Sequence, residues 1–159
     1  MAELPTDTAS GQPGLFYCSF RQQGAIVRKG AVMKNAVLTE ADLVEKGIAL
    51  FNEGRYFEAQ EAWEVPWLTA TVAGEKQFLQ GLVMVAGAFH HYLRRECEGA
   101  ALLVKKGLPL VRSSISTHRD LCLSELAADL EDVLDEFESC SLRVPIDALP
   151  KIKRMAVGS

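Results

Sequence analysis

The chain has 159 residues, 48% of them apolar and 24% charged, which fits one domain able to bury a core without disulfides or a structural metal. Its net charge of −4 is uneven: residues 1–38 carry +2 and the remainder −6, and an acidic body that cannot neutralise phosphates excludes a general nucleic-acid binder. The longest apolar stretch, Phe78 to Phe89, is broken by Gln80 and falls short of the ~20 residues of a membrane span, so a soluble, cytoplasmic protein is expected.

Residues 1–38 contain Gly11, Gly14, Gly24, Gly30, Pro5 and Pro13 with no sustained apolar period, and read as a flexible leader. No apolar run of secretory length follows a basic start, and the Ser/Arg content fits a transit peptide poorly. A start codon placed too far upstream, with Met33 as the true one, is the simpler explanation of this leader. The four cysteines, Cys18, Cys97, Cys122 and Cys140, form no CxxC pair and lie in unlike contexts, the pattern of free cytosolic thiols.

From Thr39 onward the pattern is helical. Thr39 and Asp42 have capping-box spacing, and Leu43, Val44, Ile48, Leu50 and Phe51 supply an apolar face before Gly54, which predicts a first helix over 39–53. A second helix follows from Arg55 to Trp63 or Glu64, with Pro66 expected to end or kink it. The third, 74–95, is apolar on nearly every side from Phe78 to Leu93 and belongs at the centre of a bundle. Gly81 and Gly87 inside it imply a close helix neighbour, since each costs about 1 kcal/mol relative to Ala. A fourth helix starts at Gly99 and is expected to break at Gly107 and Pro109, with a further turn or two to Thr117. The fifth, 121–139, carries Leu123, Leu126, Leu130, Val133, Leu134 and Phe137 opposite an acidic face. No segment shows strand alternation, so the class is all-α: a compact antiparallel bundle of about five helices around an apolar central one, with a helical domain over 39–140 and a C-terminal tail over 141–159.

The densest polar group is EAQEAWEVPW, residues 58–67. Gln60, Glu64 and Trp67 fall at i, i+4 and i+7, and Glu61 and Glu64 at i, i+3, so two carboxylates, an amide and an indole can share one side of a helix. Such a group could hold a cation or act as acid and base if burial separates its pKa values. Spacing alone favours the plainer alternative, a solvated acidic face with the two Trp packing inward. His90 and His91 are adjacent, hence about 100° apart, and one of them must point inward. A metal would need three or four converging ligands, and Glu61, Glu64 and one of these His are the available set. Neither HExxH nor the ExxH of di-iron bundles is present, so no metal or other cofactor is expected. No GxSxG, GxxxxGK or GxGxxG occurs, which removes the common nucleophile and nucleotide classes.

The runs GIALFNEGRYFEAQEAWEVPW (47–67), FLQGLVMVAGAFHHYLRR (78–95) and EGAALLVKKGLPL (98–110) resemble the small helical family called domain of unknown function 309. Its pattern reads FNxGxYFEAHExxExxW, then a GLIQLA…YH helix, then a GN…GA turn. The resemblance implies a compact antiparallel helical domain and puts Glu61, Glu64, Trp67 and His91 at the family's polar motif positions. It brings no established activity. Here Gln60 replaces the motif His, Met84 replaces the Gln of GLIQLA, and Arg95-Glu96 replaces the Gly-Asn pair. The sequence therefore points to a binding module for an unidentified small ligand or protein, with Gln60, Glu61, Glu64, Trp67 and His91 lining a pocket between the second and third helices. A homo-oligomer is compatible with it. The competing reading is a small hydrolase-type enzyme using the Glu/Glu/His set, with or without a divalent cation. Gln60 favours the module, because an amide can orient a ligand but cannot shuttle protons near pH 7.

Overall fold

A computed structural model describes residues 32–33 and 36–156, so the leader expected over 1–38 lies largely outside the described residues. Its described part contributes one feature the pattern did not foreshadow, a two-residue antiparallel ladder of β1 (Val32–Met33) and β2 (Ala36–Val37). Five helices follow: α1 (Glu40–Asn52), α2 (Tyr56–Thr69), α3 (Ala73–Leu93), α4 (Cys97–Ser113) and α5 (Leu123–Ser139). The all-α bundle is as expected.

Thr39 and Asp42 form the capping box in both directions, each side chain bonded to the other's backbone N–H at 3.0 Å. Gly54 takes φ +85 just past the end of α1, the left-handed turn for which glycine is suited, and α2 starts two residues later. Each helix packs on its sequence neighbours, and the contacts run antiparallel throughout. Glu40 meets Thr69 and Phe51 meets Tyr56 across α1 and α2. Lys76 meets Trp67 and His90 meets Phe57 across α2 and α3. Gly81 faces Leu110 and Gly99 faces His91 across α3 and α4. Lys105 pairs with Glu138 and Arg112 with Glu131 across α4 and α5. The middle of α3, from Phe78 to Phe89, is buried at every position except Gln80, as its all-round apolar sequence requires.

Two helices run further than the prolines suggested. Pro66 lies inside α2 and Pro109 inside α4, and neither ends its helix. A proline removes one intrahelical hydrogen bond and crowds the preceding turn, a cost of about 3 kcal/mol that the packing of both flanks outweighs here. Thr69 caps the far side of Pro66, its hydroxyl donating to the Val65 carbonyl at 2.8 Å. Gly107 does not break α4 either. It is where α4 crosses α3, and a Cβ there would stand 3.1 Å from Met84 Cβ and 3.3 Å from the Gly81 carbonyl oxygen.

The tail expected beyond residue 140 is tied into the bundle. Leu149 and Ile152 are buried in the core cluster, and the Asn52 amide clamps Ile152 by accepting from its N–H (2.8 Å) and donating to its carbonyl (2.9 Å). Cys122 donates its N–H to Lys153 O and Met155 its N–H to Asp120 O, around a bridge between Leu121 and Arg154. Cysteine chemistry also departs from the free-thiol expectation. Cys97 and Cys140 are joined in a disulfide, because the turn into α4 and the end of α5 bring their Cα atoms to 5.5 Å, while Cys122 is a free thiol.

Candidate functional site

The polar run on α2 is not a solvated face. Gln60 is 0% and Glu64 1% exposed, inside a helix interface otherwise built from Ala59, Ala62, Trp63 and Trp67. Periodicity explains the arrangement: Tyr56, Gln60, Glu64 and Trp67 lie at i, i+4, i+8 and i+11, one stripe of the helix, and that stripe is the one turned inward. Gln60 is anchored to the central helix, its Nε2 donating to the Val83 carbonyl at 3.1 Å. Its Oε1 is buried with no hydrogen-bond partner among the described residues, and the Tyr56 hydroxyl shares that condition. Tyr56 was not among the candidate residues. The signal that could have found it is its place one turn before Gln60 on the same stripe.

Glu61 lies beside the stripe, half-buried, and its carboxyl is pushed up to about 7 by desolvation first, then by the negative charges of Glu58 and Glu64. One turn earlier Glu58 behaves in the opposite way. Arg55 holds it below the ordinary carboxylate range through a hydrogen bond of 2.8 Å to Oε1. Burial likewise raises the Tyr56 phenol to about 12, with Asp147 adding to the effect. The site is thus a proton-retaining acid beside a buried amide, framed by the aromatic cluster of Phe51, Tyr56, Trp63 and Phe89, whose rings stand 5.1 to 6.1 Å apart.

Of the expected set, α2 brings Gln60, Glu61, Glu64 and Trp67 together. His91 sits elsewhere on α3. Its Nδ1 is 2.6 Å from Glu96 Oε1, and its ring covers Gly99 at the start of α4. Val83, which Gln60 touches, is eight residues before it, about 12 Å along the helix. The histidine facing α2 is His90, whose ring centroid is 5.5 Å from that of Phe57. Burial holds His90 below its ordinary pKa, aided by the charges of His91 and Arg94. Among the described residues no group of three or more His, Cys, Asp or Glu side chains is placed to hold a metal ion, and no helix is long and apolar enough to cross a membrane.

An antiparallel helical domain with a buried acid–amide stripe on its second helix is the class these features define. Residues 44–103 match the family model described as Domain of unknown function (DUF309). The match runs from the middle of α1 to the middle of α4 and includes the whole stripe as well as His91. No curated protein and no solved structure matches the chain. Just past the end of α3, Arg95 adopts φ +67. This is the left-handed geometry that glycine would take without strain, and the turn brings Glu96 Oε1 to 2.6 Å from His91 Nδ1.

Proposed function

We propose that the chain is a non-catalytic binding module that takes, at Gln60 and Glu61 where α2 meets α3, a partner or small ligand presenting a cationic hydrogen-bond donor, an ammonium or a guanidinium. The observation that carries this reading is Gln60: a fully buried amide anchored through its nitrogen, with its acceptor oxygen unmatched among the described residues and the proton-retaining Glu61 next to it. A buried acceptor without a donor is costly in a purely structural domain. A cation entering beside Glu61 would supply the donor and displace the carboxyl proton, because an opposite charge nearby favours the ionised form.

The test is a two-dimensional NMR titration of the full chain with alkylammonium and alkylguanidinium probes. Chemical-shift changes centred on the Gln60 side-chain amide and the Glu61 backbone, lost in Glu61→Gln, support the reading. Changes absent from both groups, or unaltered in Glu61→Gln, overturn it.

The hydrolase-type alternative draws on the same carboxyl, since an acid near pKa 7 suits proton transfer at neutral pH. Its third member is the weak point, because the contacts of His91 described above are with Glu96 and Gly99. Stoichiometric divalent metal in the purified protein, lost in the Glu61→Gln variant, would favour that alternative over the module.

A further inference from the structure

Among the described residues, the three non-glycine positions with left-handed backbone surround a single bond. Arg95 (φ 67) precedes Cys97 by two residues, Cys140 (φ 53) is itself one of the bonded cysteines, and Leu142 (φ 54) follows it by two. Left-handed backbone is unfavourable for residues with a Cβ and persists where the surroundings impose it. Arg95 closes the end of α3, with the Glu96 N–H on the His91 carbonyl at 2.9 Å, whereas Cys140 and Leu142 lie at the covalent tie between the start of α4 and the end of α5. The two sulfurs are not equivalent. Cys97 is buried as the first residue of α4, whereas Cys140 is the exposed C-terminal cap of α5. Both line an open cleft of about 920 Å³, together with Arg95, Leu102, Lys105 and Phe137.

We propose that Cys97–Cys140 is a thiol–disulfide exchange site, open to a dithiol reductant through this cleft, and that its reduction loosens residues 141–144 at the end of the bundle while the later tail stays docked through Leu149 and Ile152. One thiolate of the dithiol attacks the Cys140 sulfur. The bond between the two protein sulfurs breaks, a mixed disulfide forms on Cys140, and Cys97 leaves as a thiolate. The second thiol of the reductant, deprotonated, then attacks its own mixed-disulfide sulfur, closing the reductant's disulfide and expelling Cys140. The protein gains two electrons and, once both thiolates are protonated, two protons. Position favours this direction of attack, because Cys140 is exposed and the backbone N–H groups at the start of α4 stabilise a departing Cys97 thiolate. Of the neighbouring acids that oppose this, Glu96 is engaged by His91 and Arg94.

The loosened residues are identifiable. Directly after Cys140, Arg143 donates its N–H to Glu136 at 2.9 Å and Val144 donates its N–H to the Tyr92 hydroxyl at 3.2 Å, while Tyr92 stacks on Phe137 at 4.4 Å. With the disulfide open, the left-handed turn at 140–142 can relax, and these two bonds lose the geometry that aligns them.

The experiment uses the full oxidised chain. It is treated with dithiothreitol or glutathione under native conditions, alkylated and mapped by peptide mass spectrometry, and amide hydrogen exchange is compared between the oxidised and reduced forms. The expected result is native-state reduction of both cysteines, a first glutathione adduct on Cys140, and amide exchange at Arg143 and Val144 about tenfold faster or more after reduction, with residues 83–89 unchanged. The Cys97→Ser/Cys140→Ser double variant should exchange at the reduced rate with or without dithiol; if it does not fold, the reduced parent chain supplies the same comparison. Both cysteines free without reductant, a bond that survives excess dithiol until the chain unfolds, a first adduct on Cys97, or equal exchange in the two forms would each overturn the proposal. None of these readouts depends on Gln60 or Glu61.

Discussion

The indole of Trp63 occupies the space that a side chain at position 47 would need. A Cβ built on Gly47 would lie 2.5 Å from Trp63 Cε2, and Trp63 cannot withdraw, being fully buried with its Nε1 donating to the Val44 carbonyl at 3.0 Å. The contact locks α1 to α2 at the turn of α2 that also carries Glu64. Gly47→Ala should therefore destabilise by about 1–3 kcal/mol, overpacking outweighing the roughly 1 kcal/mol gained in helix propensity. Chemical denaturation measures it, and a variant as stable as the parent would show that α1 and α2 can separate freely.

Gly81 plays the corresponding part between α3 and α4. A Cβ there would meet Leu110 Cβ at 3.0 Å and the Val111 backbone nitrogen at 3.3 Å, so the neighbour on one side is main chain and cannot rotate away. Gly81→Leu should lower stability by about 1–3 kcal/mol or more. A higher melting temperature in the variant would contradict this crossing.

Much of the bundle was legible because helix ends and burial faces have local signals. Thr39 with Asp42 announced the start of α1, Gly54 its end, and the unbroken apolar run from Phe78 the central position of α3. What escaped depends on tertiary context. Pro66 and Pro109 read as breaks because a sequence shows the lost N–H but not the packing that compensates for it. The α2 stripe read as solvated because a period of 3.6 groups Gln60 with Glu64 without saying whether the shared side faces water or α3. The Cys97–Cys140 pairing joins residues 43 apart, and only the return of α5 alongside α4 places them together. A step of one residue also separates the two histidines: the ring of His90 meets Phe57 on α2, and that of His91, rotated by about 100°, lies over Gly99 on α4.

Arg95 offers a stabilising substitution. Its φ of +67 costs about 1–2 kcal/mol in a residue with a Cβ, whereas glycine loses about 0.5–1 kcal/mol through extra freedom in the unfolded chain. Arg95→Gly should accordingly gain about 0.5–1 kcal/mol, seen as a small rise in melting temperature of the oxidised protein. A loss of stability would mean that the Arg95 side chain makes contacts worth more than the backbone strain it imposes.

Glu61 gives the fold a pH dependence of unusual sign for a carboxylate. Its folded-state pKa of about 7 lies above the ordinary value of 4.5, so the folded state retains a proton that the unfolded chain releases. The stability this contributes is complete below about pH 4.5 and is lost as pH rises through 7. Asp42, Glu58, Glu96 and Glu136 work the other way: hydrogen bonds from Thr39, Arg55, His91 and Ser141, respectively, hold their pKa values below the usual range, and their contributions are lost on acidification. Glu61→Gln removes the first effect and leaves the others. At pH 8 the variant should be more stable than the parent by about 1 kcal/mol, a figure reduced for the solvent that reaches this half-buried group. At pH 4.5 the two should converge, since the parent carboxyl is then protonated and resembles the amide. Melting temperatures from pH 4.5 to 8 test this: a constant difference across the range would mean that Glu61 titrates as an ordinary surface acid, and the proton-retaining site on α2 would be lost with it.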